Sequence, residues 1–149
     1  MFVKPYQQST TIRFAHCDPA GIVFYPRYFE MINNVVEDWL AEALHWPLPH
    51  IVLERGEGFP TVNVECQFLS SARLGDVLIF ELSVLKIGNS ACTLLIEAHC
   101  QNKTVLKASH VLVYTSLGTG TGKTDAERER SLRIPDELRA EMMRYLIQS

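Results

Sequence analysis

The sequence predicts an α+β domain in which an antiparallel β-sheet wraps around one long central α-helix. In the N-terminal third, apolar residues recur at three- and four-residue steps, which is typical of a helix with one buried face. From residue 60 onward the step changes to two, which is typical of strands with one buried face. The chain has 149 residues, of which 47% are hydrophobic. No repeat or boundary divides it, so we expect one domain over residues 1–149.

The central helix is predicted to begin at Pro26 and to end near Leu44. Proline suits the first helical turn, where its missing N–H has no intrahelical partner, and Pro47 and Pro49 mark the end. About 19 residues, each rising 1.5 Å, give a helix of roughly 28 Å. Its predicted apolar face consists of Phe29, Ile32, Val36, Trp39, Leu40 and Ala43.

One short strand-like run precedes the helix, at residues 10–14, and four longer runs follow it. The longer runs are residues 62–68, 77–85, 92–100 and 105–115. Polar, glycine-rich or asparagine-containing segments at residues 75–76, 88–89 and 101–103 predict hairpin turns between them. Strands of about ten residues span roughly 33 Å, which matches the helix in length. An antiparallel sheet with the helix laid along its apolar face follows.

The C-terminal part has a different composition. Residues 116–131 are polar and glycine-rich and predict a flexible loop. Residues 118–124 end like a phosphate-binding loop, but Leu117 stands where that motif requires its first glycine, so a linker is the preferred interpretation. Residues 135–147 predict a short helix whose acidic residues lie in the first turn, where the helix dipole favours them.

Composition and charge exclude several classes of function. The formal net charge is −3, which argues against a nucleic-acid partner or an anionic membrane surface. No apolar run is long enough for a membrane span or a signal peptide, so a cytoplasmic protein is expected. The four cysteines lack metal-site spacing and predict buried free thiols, with neither disulfides nor a metal. They are Cys17, Cys66, Cys92 and Cys100.

The segment before the helix carries the strongest functional signal. Asp18 follows a strand-like run, a Pro-Ala-Gly turn comes next, and the helix then begins. Unpaired N–H groups and the positive dipole end of a helix can stabilise a carbonyl oxygen that gains negative charge. A carboxylate aimed at the same volume predicts an acyl-transfer site. His16 and Cys17 are adjacent and point to opposite faces, which argues against a Cys–His nucleophile, whereas His16 and Asp18 could share a face.

Residues 17–28, Cys-Asp-Pro-Ala-Gly-Ile-Val-Phe-Tyr-Pro-Arg-Tyr, resemble the motif of the 4-hydroxybenzoyl-CoA thioesterase family, which has the hotdog fold. The resemblance implies hydrolysis of acyl-CoA thioesters without a cofactor, since coenzyme A is part of the substrate. It implies that Asp18 is the catalytic carboxylate and that the backbone N–H of Tyr25 polarises the thioester carbonyl. It also implies homodimers formed by edge-to-edge sheet pairing, which often join into homotetramers. The substrate-binding residues that it implies are Phe59, Pro60, Thr61, Gly88, Asn89 and Ser90.

The resemblance leaves several alternatives open. The hairpin at residues 88–90 lacks the basic cluster of some members, so Lys103 or Lys107 could hold the nucleotide instead. Asp18 could attack the thioester directly or activate a water molecule. Aromatic residues at the helix start, together with Phe59, favour short or aromatic acyl groups. A hotdog enoyl-CoA hydratase that uses His16, or a non-catalytic acyl-CoA binding module, are the competing functions.

Overall fold

A computed structural model describes residues 3–117 and 130–147. In chain order, the strands are β1 (Tyr6–Thr11), β2 (Glu57–Gly58), β3 (Thr61–Phe68), β4 (Val77–Ile87), β5 (Ala91–Cys100), β6 (Lys103–Val113) and β7 (Thr115–Ser116). The α-helices are α1 (Pro26–Asp38) and α2 (Asp136–Met143). A 3₁₀ turn covers Phe14–His16, and single π-helical turns cover Trp39–Ala43 and His50–Glu54.

The main sheet has five antiparallel strands in the order β1-β4-β5-β6-β3. Burial alternates along β5, where every second residue is fully enclosed, because one face of the sheet packs against the helix. β2 and β7 form a separate two-stranded ribbon beside the start of β3. The predicted α+β architecture, a sheet wrapped around one helix, is confirmed.

The central helix lies on the inner face of this sheet. Its buried residues are Tyr28, Met31, Ile32, Val35 and Val36, whose spacing of three and four places them on one side. Pro26 occupies the start of the helix, as predicted. The helix then continues into a π-helical turn, where the N–H of Leu44 donates to the carbonyl of Trp39 at 3.1 Å. The predicted length of the central helix therefore agrees closely with the observed length of α1 and the π-helical turn together.

Three local expectations were wrong in detail. The first strand covers Tyr6–Thr11, whereas residues 14–16 form a 3₁₀ turn because the chain must bend away from the sheet edge towards α1. Residues 75–76 do not close a hairpin, since β3 and β4 lie at different places in the sheet. The C-terminal helix covers Asp136–Met143, and Leu146 beyond it pairs with Val84 of β4.

The predicted flexible loop, residues 116–131, lies mostly outside the described residues, as does the segment like a phosphate loop at residues 118–124. At its two ends, Thr115–Ser116 forms β7 and Ser131 bridges to Thr115. The cysteines are free thiols, as expected, but only Cys92 is fully buried and the other three are partly exposed. None of the helices within residues 3–117 and 130–147 combines the length and apolarity that a membrane span needs.

The two edges of the sheet differ in character. β1 presents the polar sequence Tyr-Gln-Gln-Ser-Thr-Thr. β3 is exposed along nearly its whole length, and Val62 retains 59% of its accessible surface. Exposed apolar edge strands are templates for pairing with another strand. The β3 edge is therefore the place in this fold where a second chain could add to the sheet.

Candidate active site

Asp18 lies in a tight turn that joins the 3₁₀ segment to α1. The N–H of Asp18 donates to the carbonyl of Ile22 at 2.9 Å, and the N–H of Gly21 donates to the carbonyl of Asp18 at 3.0 Å. Gly21 supplies the positive φ of 78° that this turn needs. One carboxylate oxygen of Asp18 accepts the N–H of Ala20 at 2.8 Å. The turn thus fixes the carboxylate through Oδ1, and Oδ2 has no partner among the residues described.

The start of α1 leaves one backbone donor without an acceptor. Pro26 has no N–H, the N–H of Arg27 donates to Phe24 at 2.9 Å, and that of Tyr28 donates to Tyr25 at 3.1 Å. In the described part of the chain, the N–H of Tyr25 has no hydrogen-bond partner. A single free donor at the positive end of a 13-residue helix is suited to hold a carbonyl oxygen.

A short antiparallel pairing brings this donor close to the Asp18 turn. Cys17 bridges to Val23, and the N–H of Phe24 donates to the carbonyl of His16 at 2.9 Å. Because the chain returns on itself here, Asp18 and Tyr25 lie on opposite arms of one small hairpin. The structure therefore places the two residues that the motif predicted as catalytic on one hairpin, with Tyr25 three residues beyond Ile22, which lies opposite Asp18.

His16 and Cys17 do not form a catalytic pair. The Nδ1 atom of His16 accepts the backbone N–H of Arg13 at 2.8 Å, so the neutral ring carries its proton on Nε2. The Sγ atom of Cys17 lies 3.5 Å from the carbonyl of Arg13. Each side chain is thus engaged with the same 3₁₀ turn, and His16 has no unprotonated nitrogen free to act as a base.

An aromatic cluster connects the helix start to the far end of β3. The ring of Phe68 lies 6.2 Å from that of Tyr25, 5.7 Å from Tyr28 and 6.0 Å from Phe29, measured between centroids. Beside it lies a cleft of about 300 Å³, which we name the helix-start cleft. Its lining consists of Val23, Tyr25, Tyr28, Phe68, Leu69, Ser70 and Ser71. Tyr25, whose backbone N–H is the free donor, therefore borders a cleft with both apolar and polar walls.

A second cavity, of about 260 Å³, opens between the middle of α1 and the start of β3, and we name it the helix-middle cavity. Phe59, Pro60 and Thr61, all predicted to bind substrate, contribute to its wall. The other lining residues are Asn33, Val36, Glu37, Leu40, Leu48 and Leu112. Apolar walls with a few polar groups are typical of sites for small organic groups.

A buried network supports the wall at Phe59. The ring of Tyr114, which is fully buried, lies edge-on to Phe59 with 5.3 Å between centroids. The hydroxyl of Tyr114 donates to the carboxylate of Glu57, which also accepts the guanidinium of Arg55 at 3.2 Å. Arg55 in turn stacks on Trp46 at 5.1 Å from the ring centroid. These contacts tie the segment from Trp46 to Glu57 to the end of the sheet.

Tyr114 should make the protein sensitive to alkali. Burial, helped by the bond to Glu57, raises the pKa of Tyr114 to about 12 from its ordinary value of 10.0. Between these values the unfolded chain loses the proton and the folded chain keeps it, so stability falls as pH rises. We expect Tyr114→Phe to reduce the loss of unfolding free energy between pH 8 and pH 11.5 by about 2 kcal/mol. Urea unfolding at pH 8, 10 and 11.5 measures it, and parallel curves for both proteins would contradict the expectation.

The predicted binding residues Gly88, Asn89 and Ser90 form the β4–β5 hairpin, and the C-terminal segment covers them. Arg139 donates to the carbonyls of Gly88 and Asn89, both at 2.9 Å, and Arg133 donates to the side chain of Asn89 at 3.2 Å. The two arginines bring to this hairpin the positive charge that its own sequence lacks. Because Arg133 and Arg139 lie 44 and 51 residues from their hairpin partners in the sequence, no local pattern indicates that they contact it.

The other candidate cations lie elsewhere. Lys103 borders a cleft of about 180 Å³ together with Arg73, near the Asp18 end of the sheet. Lys107 lies in register with Glu97 of β5 and Gln67 of β3.

The predicted site residues occupy two opposite ends of the sheet. The Asp18 turn contacts the chain just before β4, where the N–H of Leu74 donates to Gly21. The loop before β3 and the hairpin lie at the other end, where Tyr114 donates to Ser90. Because β4 has 11 residues, the ends are roughly 33 Å apart. One chain alone does not assemble all of the predicted residues.

The comparisons with known proteins agree with this architecture. The family model described as "Thioesterase-like superfamily" matches residues 12–142. The 4-hydroxybenzoyl-CoA thioesterase of Pseudomonas sp. (strain CBS-3) is 26% identical over 133 residues, which cover 83% of this chain and 87% of that protein. The 1,4-dihydroxy-2-naphthoyl-CoA hydrolase of Nostoc punctiforme is 26% identical over 135 residues, which cover 89% and 83%.

Solved structures show the same fold. The 4-hydroxybenzoyl-CoA thioesterase of Pseudomonas sp. strain CBS-3 superposes with a TM-score of 0.81 at 24% identity, covering 93% of this chain and 99% of that one. The gentisyl-coenzyme A thioesterase BH1999 gives 0.77 at 21% identity, covering 92% and 99%. Since the family model spans most of the sequence, this hotdog-fold chain belongs to the thioesterase-like superfamily.

Proposed function

We propose that this protein is an acyl-CoA thioesterase that hydrolyses short or aromatic acyl-CoA thioesters to the free acid and coenzyme A. The observation that carries the proposal is the unpaired N–H of Tyr25 on the same hairpin as the fixed carboxylate of Asp18. Relatives named for the hydrolysis of aromatic acyl-CoA thioesters support it. No cofactor is required by this chemistry, because the thiolate of coenzyme A leaves readily.

In the proposed mechanism the thioester carbonyl oxygen accepts the N–H of Tyr25 at the start of α1. The helix dipole and this donor stabilise the negative charge that develops on the oxygen during attack. Oδ2 of Asp18 either attacks the carbonyl carbon, giving an anhydride that water opens, or takes a proton from an attacking water. In both routes the C–S bond breaks, and the sulfur leaves as the thiolate of coenzyme A.

A second copy of the chain completes the proposed site. In a two-fold dimer formed through the β3 edge, the two β3 strands run antiparallel, and with the axis at the middle of the strand the partner's Thr61 lies beside Phe68. The helix-middle cavity of one copy then lies next to the helix-start cleft of the other. The hairpin at residues 88–90 of the first copy lies at the same end of the combined sheet as the Asp18 turn of the second copy. We propose this homodimer, alone or as half of a homotetramer, as the active form.

The dimensions of the helix-middle cavity favour a small acyl group. Its volume of about 260 Å³ lies just below the range of about 300–1,000 Å³ that is common for small-molecule sites. Aromatic rings at the helix-start cleft and Phe59 at the cavity offer flat apolar surfaces to an aromatic group. A cavity of this volume is too small to enclose a long alkyl chain.

A panel of thioesters tests the proposed function. We expect kcat/KM to be highest for benzoyl-type or short acyl-CoA substrates and at least roughly tenfold lower for palmitoyl-CoA, because the cavity excludes a long chain. Release of free thiol, followed with a chromogenic disulfide, measures the rates. A steady rise from acetyl- to palmitoyl-CoA, with no response to aromatic groups, would refute the assignment of the pocket.

A second assay separates thioester hydrolysis from the two competing functions. An enoyl-CoA hydratase would leave the thioester intact and add water to the double bond, but it needs a free base, and Nδ1 of His16 is already engaged by Arg13. A non-catalytic binding module would bind acyl-CoA without releasing thiol. Mass spectrometry of crotonyl-CoA after incubation distinguishes hydration, hydrolysis and binding alone.

A further inference from the structure

Two exposed cations border the cleft of about 180 Å³ that lies next to the Asp18 turn. They are Arg73, in the loop before β4, and Lys103, the first residue of β6. Neither the guanidinium of Arg73 nor the ammonium of Lys103 has a hydrogen-bond or ion-pair partner among the residues that the structure describes. We name this the cation cleft. Both of its cations are therefore available to a ligand.

The charge balance of the cation cleft favours an anion, although the whole chain carries a formal charge of −3. Among the described residues, Asp76 is the only acidic one in the lining, and its Oδ2 accepts the backbone N–H of Arg73 at 2.8 Å. Two positive charges thus accompany one negative charge that is already hydrogen-bonded. A guanidinium binds two oxygens of a phosphate at once, and the ammonium of Lys103 adds a compact positive charge. The cation cleft is therefore suited to a phosphate group.

The cation cleft continues into the helix-start cleft. Ser70 and Ser71 contribute to the walls of both clefts. Tyr25, whose backbone N–H is the free donor at the start of α1, lines the helix-start cleft on the other side of these serines. A long ligand that occupies both clefts would therefore run from Tyr25, past the two serines, to Arg73 and Lys103.

Backbone contacts fix the cation cleft relative to the Asp18 turn. Ile22 of this turn forms an antiparallel bridge with Arg73. The N–H of the next residue, Leu74, donates to the carbonyl of Gly21 at 3.0 Å. A phosphate bound at Arg73 would thus lie at a defined place relative to the carboxylate, and binding away from the reacting atoms helps to position them.

The two arginines at the β4–β5 hairpin have already used guanidinium donors on other groups. Arg139 donates to two backbone carbonyls of the hairpin, both at 2.9 Å. Arg133 donates to the side chain of Asn89 and to the carboxylate of Asp136, both at 3.2 Å. A phosphate would have to compete with these contacts, whereas it would displace no protein partner from the cations of the cation cleft.

We propose that the cation cleft binds the phosphate groups of coenzyme A through Arg73 and Lys103 of the same chain that supplies Asp18. The inference rests on the proposed thioesterase function. With the thioester carbonyl at Tyr25 and the acyl group in the helix-middle cavity of the second copy, the flexible pantetheine part of the substrate lies along the helix-start cleft. The phosphates bind equally in the ground state and the transition state, so this contact lowers KM and leaves kcat unchanged.

The test compares an acyl-CoA thioester with the pantetheine thioester of the same acyl group, which carries no phosphate. We expect Arg73→Gln and Lys103→Gln each to raise KM for the CoA thioester by roughly fivefold or more, with kcat within about twofold of wild type. KM for the pantetheine thioester should be the same in all three proteins. Added salt should raise KM for the CoA thioester in the wild type and have a weaker effect in the double variant, because salt screens exposed charges.

Arg144→Gln is the matched control, since it removes one exposed cation at the end of α2, outside the cation cleft. It should leave KM for both thioesters unchanged. The inference is overturned, and the thioesterase function kept, if the double variant at Arg73 and Lys103 retains the wild-type KM for the CoA thioester. The same holds if its KM rises equally for the pantetheine thioester, or if Arg133→Gln alone raises KM for the CoA thioester.

Calorimetry with free coenzyme A tests the cation cleft without turnover. We expect coenzyme A to bind the wild type at least roughly fivefold more tightly than the double variant at Arg73 and Lys103, and pantetheine to bind both proteins alike. Equal affinities of coenzyme A for the two proteins would overturn the inference, whatever their activity. A wild-type protein that releases no thiol from either thioester would overturn the proposed function instead.

Discussion

Asp18→Asn is expected to lower kcat for thioester hydrolysis by roughly a hundredfold or more and to leave the fold unchanged. Asparagine retains the carbonyl oxygen that accepts the N–H of Ala20, so the turn keeps its hydrogen bond. It loses the charged oxygen that either attacks the thioester or takes a proton from water. Stopped-flow measurement of thiol release, with thermal unfolding in parallel, separates a chemical effect from a structural one.

The neighbouring cysteine provides the control for this experiment. Cys17 lies next to Asp18 on the same turn but contacts the carbonyl of Arg13 rather than the candidate site. We expect Cys17→Ala to keep turnover close to that of the wild type. If Asp18→Asn turned over at nearly the wild-type rate, or if Cys17→Ala alone abolished activity, the carboxylate mechanism would be wrong.

The second large effect is expected at the exposed edge of β3. A double variant, Val62→Lys and Val64→Lys, places two charges on the strand that would pair with its copy, which opposes association. We expect a monomer in sedimentation experiments at micromolar concentration, and a loss of kcat/KM of roughly a hundredfold or more, since in the proposed dimer each chain supplies only half of a site. Leu53→Lys, at a position that is 81% exposed and outside β3, is the matched control and should remain an active oligomer.

Mixing two inactive variants tests the shared site more directly. Asp18→Asn removes the carboxylate, and Thr61→Trp fills the helix-middle cavity. In a mixed dimer, one of the two sites combines the intact Asp18 of one copy with the intact cavity of the other. Random mixing should therefore restore about a quarter of the wild-type activity. No recovery on mixing, or a fully active monomer, would refute the dimeric site.

Local chemistry made the catalytic turn and the helix predictable from the sequence. A proline at the first helical position, a carboxylate before Pro-Ala-Gly and apolar residues at helical spacing all act over a few residues. The structure accordingly has α1 beginning at Pro26 and Asp18 fixed by its own turn. The longer strands were equally visible from their alternation, whereas β1, whose polar sequence carries little pattern, was misplaced and the two-residue β2 was missed.

The contacts that form the wall of the candidate acyl site join residues far apart in the sequence, so only the tertiary structure shows them. Thr61 meets His110, and Glu57 meets Tyr114, across 49 and 57 residues of sequence. The arginines at the hairpin come from about 44 to 51 residues further along the chain. No local spacing indicates such pairs, because strand order and register decide which side chains meet.

The sequence by itself determined the fold class, the family and the turn that holds Asp18, since these depend on short-range patterns. Only the tertiary structure decided that Asp18 and Thr61 lie at opposite ends of one sheet and that His110 is buried against Thr61. The physical reason is that β3 occupies an edge beside β6 rather than beside β4, which follows it in the chain. That placement leaves the β3 edge exposed. The proposed site therefore depends on a second copy of the chain pairing with this edge.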